Sequence, residues 1–172
     1  MKKVYLMAIC LFISITCIQA QKVTGSLNFL KEVEKLHFQF EHKQPMTEKE
    51  DEEKEYVQNV FLKDFNAETV GKGLSLEGGY FPDAEYIATV KTLWLEPGYI
   101  AGPFTKPAEV TVEIVITKSG SSKELSRILV KQAKGSLSDV THTYATEARR
   151  IASSYGEAGE KLGKKVAKAL KK

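Results

Sequence analysis

The chain has 172 residues, with 25 basic and 22 acidic side chains and a formal net charge of +3. This near balance gives no indication of a nucleic-acid partner, which selects for a strongly basic protein. About 42% of the residues are hydrophobic, and the length suits a single domain with one hydrophobic core.

The first twenty residues have the layout of a secretory signal peptide. Lys2 and Lys3 give a positive start, residues 4–18 carry no charge, and Ala20 is a small residue at the expected cleavage point. The apolar run is shorter than the roughly 20 residues of a permanent transmembrane helix. We therefore expect cleavage after Ala20, export to a periplasmic or outer-membrane-associated location, and one domain over residues 21–172.

Both cysteines, Cys10 and Cys17, fall inside the signal peptide, so the expected mature chain has no disulfide and no thiolate metal ligand. Cys17 also lies in a loose match to a lipoprotein cleavage box, and lipidation of Cys17 stays open as an alternative to soluble export. Without residues 1–20, 23 basic residues face 22 acidic ones, a net charge of +1. No nucleic-acid partner and no transmembrane span in the mature chain are expected.

The first predicted elements are a strand and a helix. Alternating hydrophobic and polar residues predict a strand near residues 36–40, which ends before Pro45. Thr47 and Glu50 form a capping box, and an apolar stripe follows it. Together they predict a helix from about residue 47 to about residue 65.

A glycine-rich loop over residues 71–82 separates this helix from the second half of the chain. Three strands are predicted there, near residues 86–95, 110–117 and 128–134. Turn signals lie between them, at residues 96–98 and 118–122. In the first of these strands we expect Trp94 to share a buried face with Ala88 and Val90.

A long apolar stripe predicts a C-terminal amphipathic helix over about residues 148–170. Gly156, Gly159 and Gly163 interrupt it, each at a cost of about 1 kcal/mol relative to alanine. From them we infer a close approach of this helix to the sheet. The element order β-α-β-β-β-α predicts an α+β two-layer sandwich, in which a four-stranded, mostly antiparallel sheet carries two helices on one face. The first strand should join through a right-handed crossover.

Several short segments carry a resemblance to a known group of proteins. The matching segments are Tyr86, residues 90–92, 96–98 and 106–108, Tyr155, residues 158–159 and 162–164, and more weakly residues 29–31. On these segments the chain resembles uncharacterised secreted envelope proteins of Bacteroides-type bacteria, over roughly residues 27–170. That group is similar to small envelope α/β domains such as the amino-terminal domain of the translocation protein TolB. The resemblance implies a fold and an envelope location, and it assigns no catalytic residue.

The sequence contains no motif that indicates catalysis, a cofactor or a metal. His37, His42 and His142 lack the pairwise spacing of metal ligands, and no serine lies in a complete nucleophile elbow. We therefore assign no catalytic, cofactor-binding or metal-binding residues and expect no cofactor.

The best candidate for a binding site is the long connection that follows residue 96. Loops of this length are often kept for function, and this one contains Tyr99 and Phe104. With Lys106, these are the predicted partner-binding residues. The first hypothesis is a non-enzymatic envelope domain that binds a protein or a cell-envelope component.

Other functions stay open. A periplasmic hydrolase with a non-motif active site would use scattered residues such as His37, Glu41 and Asp83. Peripheral membrane contact would use the lysines of residues 161–172. Homodimerisation would use the sheet face without helices, toward which Val115 and Leu129 should point.

Overall fold

The structure is a computed structural model that describes residues 23–41, 50–101, 104–136 and 146–171, with the side chains of residues 50–52 excepted. The predicted signal peptide, Thr47 of the capping box, His42 and His142 lie outside the described residues. The strands and helices are β1 (Val23–Gly25), β2 (Lys35–Glu41), α1 (Glu50–Glu68), β3 (Glu77–Gly79), β4 (Tyr86–Glu96), β5 (Tyr99–Ala101), β6 (Phe104–Lys106), β7 (Glu109–Lys118), β8 (Glu124–Lys134) and α2 (Glu147–Leu170).

Six of the strands form one mixed sheet in the order β1-β8-β7-β4-β2-β3. β4, β7 and β8 form the predicted antiparallel meander, and β2 pairs in parallel with β4. The prediction of four strands is wrong, because β1 and β3 extend the sheet at its two edges. Each has three residues, too few to show an alternating pattern. The fold is therefore α+β, with a larger mixed sheet than predicted.

The core lies between the sheet and the two helices. The even-numbered residues Val110, Val112, Ile114 and Ile116 of β7 are at most 1% exposed, and the residues between them are only half-buried. Buried residues of α1 and α2 belong to the same cluster. Because each such aliphatic side chain stabilises the fold by about 1.5–3 kcal/mol when buried, the pattern fixes which face of β7 meets the helices.

Four phenylalanines fix α1 on β2. The ring of Phe38 lies 5.7 Å from that of Phe61 and 5.1 Å from that of Phe65, while Phe40 lies 5.4 Å from Phe61. All three pairs meet edge to face, a geometry worth about 0.5–1.5 kcal/mol beyond the area that it buries. The predicted strand and helix are thus confirmed and joined by direct contacts.

The three glycines of α2 lie against α1 rather than against the sheet. A Cβ atom at Gly159 would overlap the carbonyl oxygen of Phe61, and one at Gly163 would lie 2.8 Å from the carbonyl oxygen of Phe65. Since residue numbers rise together along this contact, α1 and α2 run parallel. The expected close approach of these glycines to the sheet is wrong, because a stripe of small residues indicates close contact without identifying the neighbour.

A β-bulge in β4 turns Trp94 to the solvent side of the sheet. Thr92 pairs with Val112, and the pairing then shifts so that Trp94 lies opposite Thr111. Trp94 is 45% exposed, and the next residue, Leu95, packs against the core again. The prediction that Trp94 shares the buried face is wrong, because one inserted residue reverses the alternation of every residue after it.

A buried hydrogen bond joins α2 to the sheet next to this bulge. The hydroxyl groups of Tyr155 and Thr92 lie 2.6 Å apart, and Tyr155 is fully buried. Burial raises the pKa of Tyr155 to about 12, although the hydrogen bond to Thr92 opposes the shift. Within the described residues, no helix has the length and apolar character needed to cross a bilayer.

Replacing Gly159 by alanine tests the contact between the helices. The new methyl group must displace the Phe61 backbone, so we expect the free energy of unfolding to fall by about 1–3 kcal/mol in urea denaturation. Gly71→Ala is the matched control, since its Cβ would lie 3.4 Å from the nearest atom. We expect Gly71→Ala to change stability by less than about 0.5 kcal/mol. Equal effects of the two substitutions would contradict the close contact.

The raised pKa of Tyr155 predicts a loss of stability at alkaline pH. The folded state holds this proton more tightly than the unfolded state, in which a tyrosine has a pKa near 10. The neutral Tyr155 side chain therefore contributes its full stabilisation, roughly 2–3 kcal/mol, below about pH 10. This contribution is lost as the pH rises toward about 12. Chemical denaturation across this pH range measures how the free energy of unfolding falls as the pH rises. Tyr155→Phe should remove most of that fall. If the fall is unchanged in Tyr155→Phe, groups other than Tyr155 cause it.

Candidate functional site

Exposed hydrophobic side chains concentrate at one end of the sheet. Nine large hydrophobic residues in the described part of the chain stand out as exposed, and five of them fall between residues 93 and 104. They are Leu93, Trp94, Tyr99, Ile100 and Phe104. Single exposed apolar residues are normal, but a local concentration indicates a contact surface.

The predicted partner-binding residues lie on a hairpin formed by β5 and β6. Tyr99 pairs with Lys106, and Ala101 pairs with Phe104. Directly paired residues of antiparallel strands point to the same side, and so do residues two apart in one strand. Tyr99, Ala101, Phe104 and Lys106 therefore form one surface, the hairpin face. Phe104 is 71% exposed and Tyr99 is 51% exposed.

The turn that starts the hairpin is held by α2. Gly98 has a φ of 66°, in the left-handed region that favours glycine, and a side chain there would meet the backbone of Pro107. Arg150, in the first turn of α2, donates hydrogen bonds to the carbonyl oxygens of Pro97 at 3.2 Å and Gly98 at 3.5 Å. The position of the hairpin thus depends on the packing of α2.

One ion pair anchors the base of the hairpin face. Lys106 Nζ lies 3.4 Å from a carboxylate oxygen of Glu96, and both side chains are partly exposed. Such a pair contributes at most about 1 kcal/mol in water. Its main effect is to restrict the position of the Lys106 ammonium group at the end of β6.

Two bulges meet at this end of the sheet, on either side of Thr111. One is the β4 bulge before Trp94, and the other shifts the pairing of β7 with β8. In β8, Gln132 has a φ of 44°, and its backbone N–H donates to the Thr111 hydroxyl at 3.1 Å. Bulges re-aim side chains and bend strands, and the one in β4 accounts for the outward direction of Trp94, whereas Leu93 faces solvent by ordinary alternation after the buried Thr92.

Sequence reasoning missed Leu93 and Arg150 and assigned Trp94 to the core, whereas Leu93 and Trp94 are exposed at this end of the sheet and Arg150 supports the hairpin turn. Two adjacent large hydrophobic residues, Leu93 and Trp94, break strict alternation and were the available signal of a bulge. No local pattern indicates that Arg150 reaches a turn more than fifty residues earlier in the chain.

The residues considered for a hydrolase do not form one site. His37 Nδ1 accepts a hydrogen bond from the backbone N–H of Phe81 at 2.9 Å. Glu41 lies about 13 Å further along the same strand, by the rise of a strand, and pairs with Lys91 at 3.2 Å. Asp83 lines a groove of about 570 Å³ before β4, which Phe81 also lines and which Glu41 does not. The structure therefore does not bring these three side chains together.

The described residues offer no arrangement suited to a metal, since no three histidine, aspartate or glutamate side chains are grouped closely enough to bind one.

A second groove, of about 460 Å³, lies between α1 and α2 and is lined by Tyr56, Asp64 and Arg149 among others. The residues of the hairpin face line neither groove.

Comparison with known proteins finds similarity in fold alone. No protein-family model matches the chain, and no curated protein matches its sequence. A dodecamer of a point variant of PelC from Paraburkholderia phytofirmans, in space group C2, matches with a TM-score of 0.50 at 9% identity, over 88% of this chain and 95% of that chain. The PelC dodecamer from the same organism, in space group P6, matches with a TM-score of 0.49 at 11% identity, over 88% of this chain and 96% of that chain.

These two structures are PelC rather than the TolB domain that the sequence resemblance suggests. At this identity the first match indicates a shared fold only, and the resemblance to TolB and to Bacteroides-type proteins stays a prediction.

The role of Arg150 leads to a prediction about local stability. Arg150→Ala removes the hydrogen bonds to the turn, so amide hydrogen exchange in residues 99–106 should accelerate about tenfold, as the loss of charged hydrogen bonds implies. Arg149→Ala is the control, because the Arg149 side chain lies in the groove between the helices. Equal acceleration in both variants would mean that the hairpin does not depend on Arg150.

Proposed function

We propose that this protein is a non-enzymatic domain of the bacterial cell envelope that binds a partner protein or envelope component through the hairpin face. The observation that supports this proposal is the exposure of Phe104 and Tyr99 together on one side of a positioned hairpin. Side chains of this type form the centres of binding surfaces, because a partner gains much by burying them.

The chemistry of the hairpin face suggests what the partner provides. Burying an aromatic side chain completely is worth about 1.5–3 kcal/mol, so Phe104 would supply much of the affinity in an apolar pocket. Lys106 and Glu96 pair at the edge of the face, so this edge favours a partner with polar groups around that pocket rather than one of strong net charge. A charge at the edge of an interface sets orientation and association rate more than affinity.

The envelope location rests on the predicted signal peptide. Export with cleavage after Ala20 would deliver a cysteine-free domain to the periplasm or to the surface of the outer membrane. Mass spectrometry of the protein from the exported fraction tests this part by itself. A measured mass equal to that of a chain starting at Gln21 would support export with cleavage after Ala20. A lipid on Cys17 would favour the lipidated alternative. A cytoplasmic protein that still contains residues 1–20 would overturn the envelope location.

A second copy of this chain is also a candidate partner. The similar structure of the PelC variant is a dodecamer, and on the solvent side of the sheet Leu93 and Trp94 are 44% and 45% exposed. Self-association through these residues would give a homodimer or a larger assembly.

Site-specific photo-crosslinking in living cells tests the hairpin face. A photoreactive amino acid in place of Phe104 should give crosslinked products, whereas the same amino acid in place of Tyr56 should not. Tyr56 is the control, because it is an exposed aromatic residue on α1, outside the hairpin face, and its exposure of 46% is close to the 51% of Tyr99. Tyr99→Ala in the Phe104 crosslinking protein should reduce the product, since it removes part of the same face.

The products separate the alternatives. A product with twice the mass of the chain identifies a second copy, and a product with a different envelope protein identifies a heterologous partner. Equal crosslinking from positions 104 and 56, or none from position 104, would contradict the proposal.

A further inference from the structure

The C-terminal half of α2 carries a cluster of lysines at the opposite end of the molecule from the hairpin. Arg150 contacts the hairpin turn, and Lys168 lies about 27 Å further along the helix, by its rise per residue. Lys72, which follows α1, joins the cluster. The lysine pole is defined here as Lys72, Lys164, Lys165, Lys168 and Lys171.

Two surface grooves meet at this pole, and Lys168 lines both. The first, of about 430 Å³, runs between the ends of α1 and α2 and includes Lys72, Lys164 and Lys171. The second, of about 270 Å³, lies on the other side of α2 and is lined by Val23, Leu27 and Lys165 among others. The positive charges are thus spread over a broad end surface rather than converging on one small pocket.

The lysine pole has more positive charge than its neighbours compensate. Glu68 pairs with Lys72 at 2.5 Å, and Glu160 pairs with Lys164. Lys168 and Lys171 form no ion pair with any described residue. Each helix end supplies only about half a negative charge through its backbone dipole, so the cluster remains net positive.

Crowding of these cations supports the same conclusion. The pKa of Lys165 is lowered, first by partial burial and then by the charge of Lys168. Exposed apolar side chains flank the lysines, since Val23 is 38% exposed and Val70 is 46% exposed. A surface of long cationic side chains around small apolar groups suits the headgroup region of a bilayer.

We propose that the lysine pole docks on a bilayer surface that contains anionic phospholipid. Each lysine near such a surface strengthens binding by about a factor of five. A small anion is disfavoured because the carbonyl ends of two helices point toward this end, whereas lysines spread over two adjoining grooves suit a broad bilayer surface. Docking in this orientation places the hairpin at the end of the molecule away from the membrane.

Vesicle co-sedimentation tests this proposal. The purified protein should bind vesicles of phosphatidylglycerol and phosphatidylethanolamine, should fail to bind vesicles of phosphatidylcholine alone, and should dissociate as the salt concentration rises. Lys168→Glu combined with Lys171→Glu should weaken binding at least about 30-fold, because two favourable charges are lost. Lys168→Ala with Lys171→Ala serves as a second variant that adds no acidic group to the end of α2.

The control is Lys131→Glu combined with Lys134→Glu, which changes net charge equally near the hairpin end of β8. We expect this control to retain most of the binding. Equal loss in both pairs would indicate a net-charge effect and would overturn the proposal. Binding to phosphatidylcholine vesicles as strong as to the anionic vesicles would also overturn the proposal. Binding to inorganic polyphosphate without binding to vesicles would overturn it as well. None of these variants alters the hairpin face. Failure of the membrane-docking proposal would therefore leave the partner-binding proposal intact.

Discussion

The contact between the backbones of α1 and α2 at Gly159 determines where both ends of α2 lie. Without a side chain at Gly159, the carbonyl oxygen of Phe61 approaches the α2 backbone directly, and phenylalanines of α1 pack in turn on β2. α2 is therefore fixed relative to the sheet. At one end this places Arg150 under the hairpin turn, and at the other end it places Lys168 beside the end of α1.

The sheet contributes a second constraint at the hairpin end. The bulge in β4 turns Trp94 outward, while the buried pair of Tyr155 and Thr92 keeps the preceding part of β4 on α2. The apolar groups that a folded protein would ordinarily bury are thus held in solvent by a rigid support. Such preorganisation lowers the cost of binding, because a partner does not need to order the surface that it contacts.

Elements with long periodic patterns could be predicted from the sequence, whereas contacts between distant residues could not. The alternation in β7 and the stripe of α2 identified both elements and their buried faces, since each pattern reports burial along one element. The position of Trp94 depends on an inserted residue, the neighbour of Gly159 depends on tertiary packing, and the role of Arg150 depends on a turn far away in the chain. For the same reason, the sequence identified Tyr99, Phe104 and Lys106 as candidates but not the hairpin that places them on one face.

A cysteine crosslink tests the parallel contact of α1 and α2 most directly. A Cβ atom at Gly156 would lie 3.0 Å from Val60 Cγ1, the atom whose place the sulfur of a cysteine at position 60 would take, so a disulfide can bridge these positions. In a protein that starts at Gln21, and so lacks Cys10 and Cys17, Val60→Cys with Gly156→Cys should therefore oxidise rapidly. Val60→Cys with Gly163→Cys, displaced by about 10 Å along α2, should remain reduced. Rapid oxidation of the first pair alone, read by mass spectrometry under native conditions, is the result that we expect. Failure of that pair, or equal oxidation of both, would contradict the helix packing on which the positions of the hairpin face and the lysine pole depend.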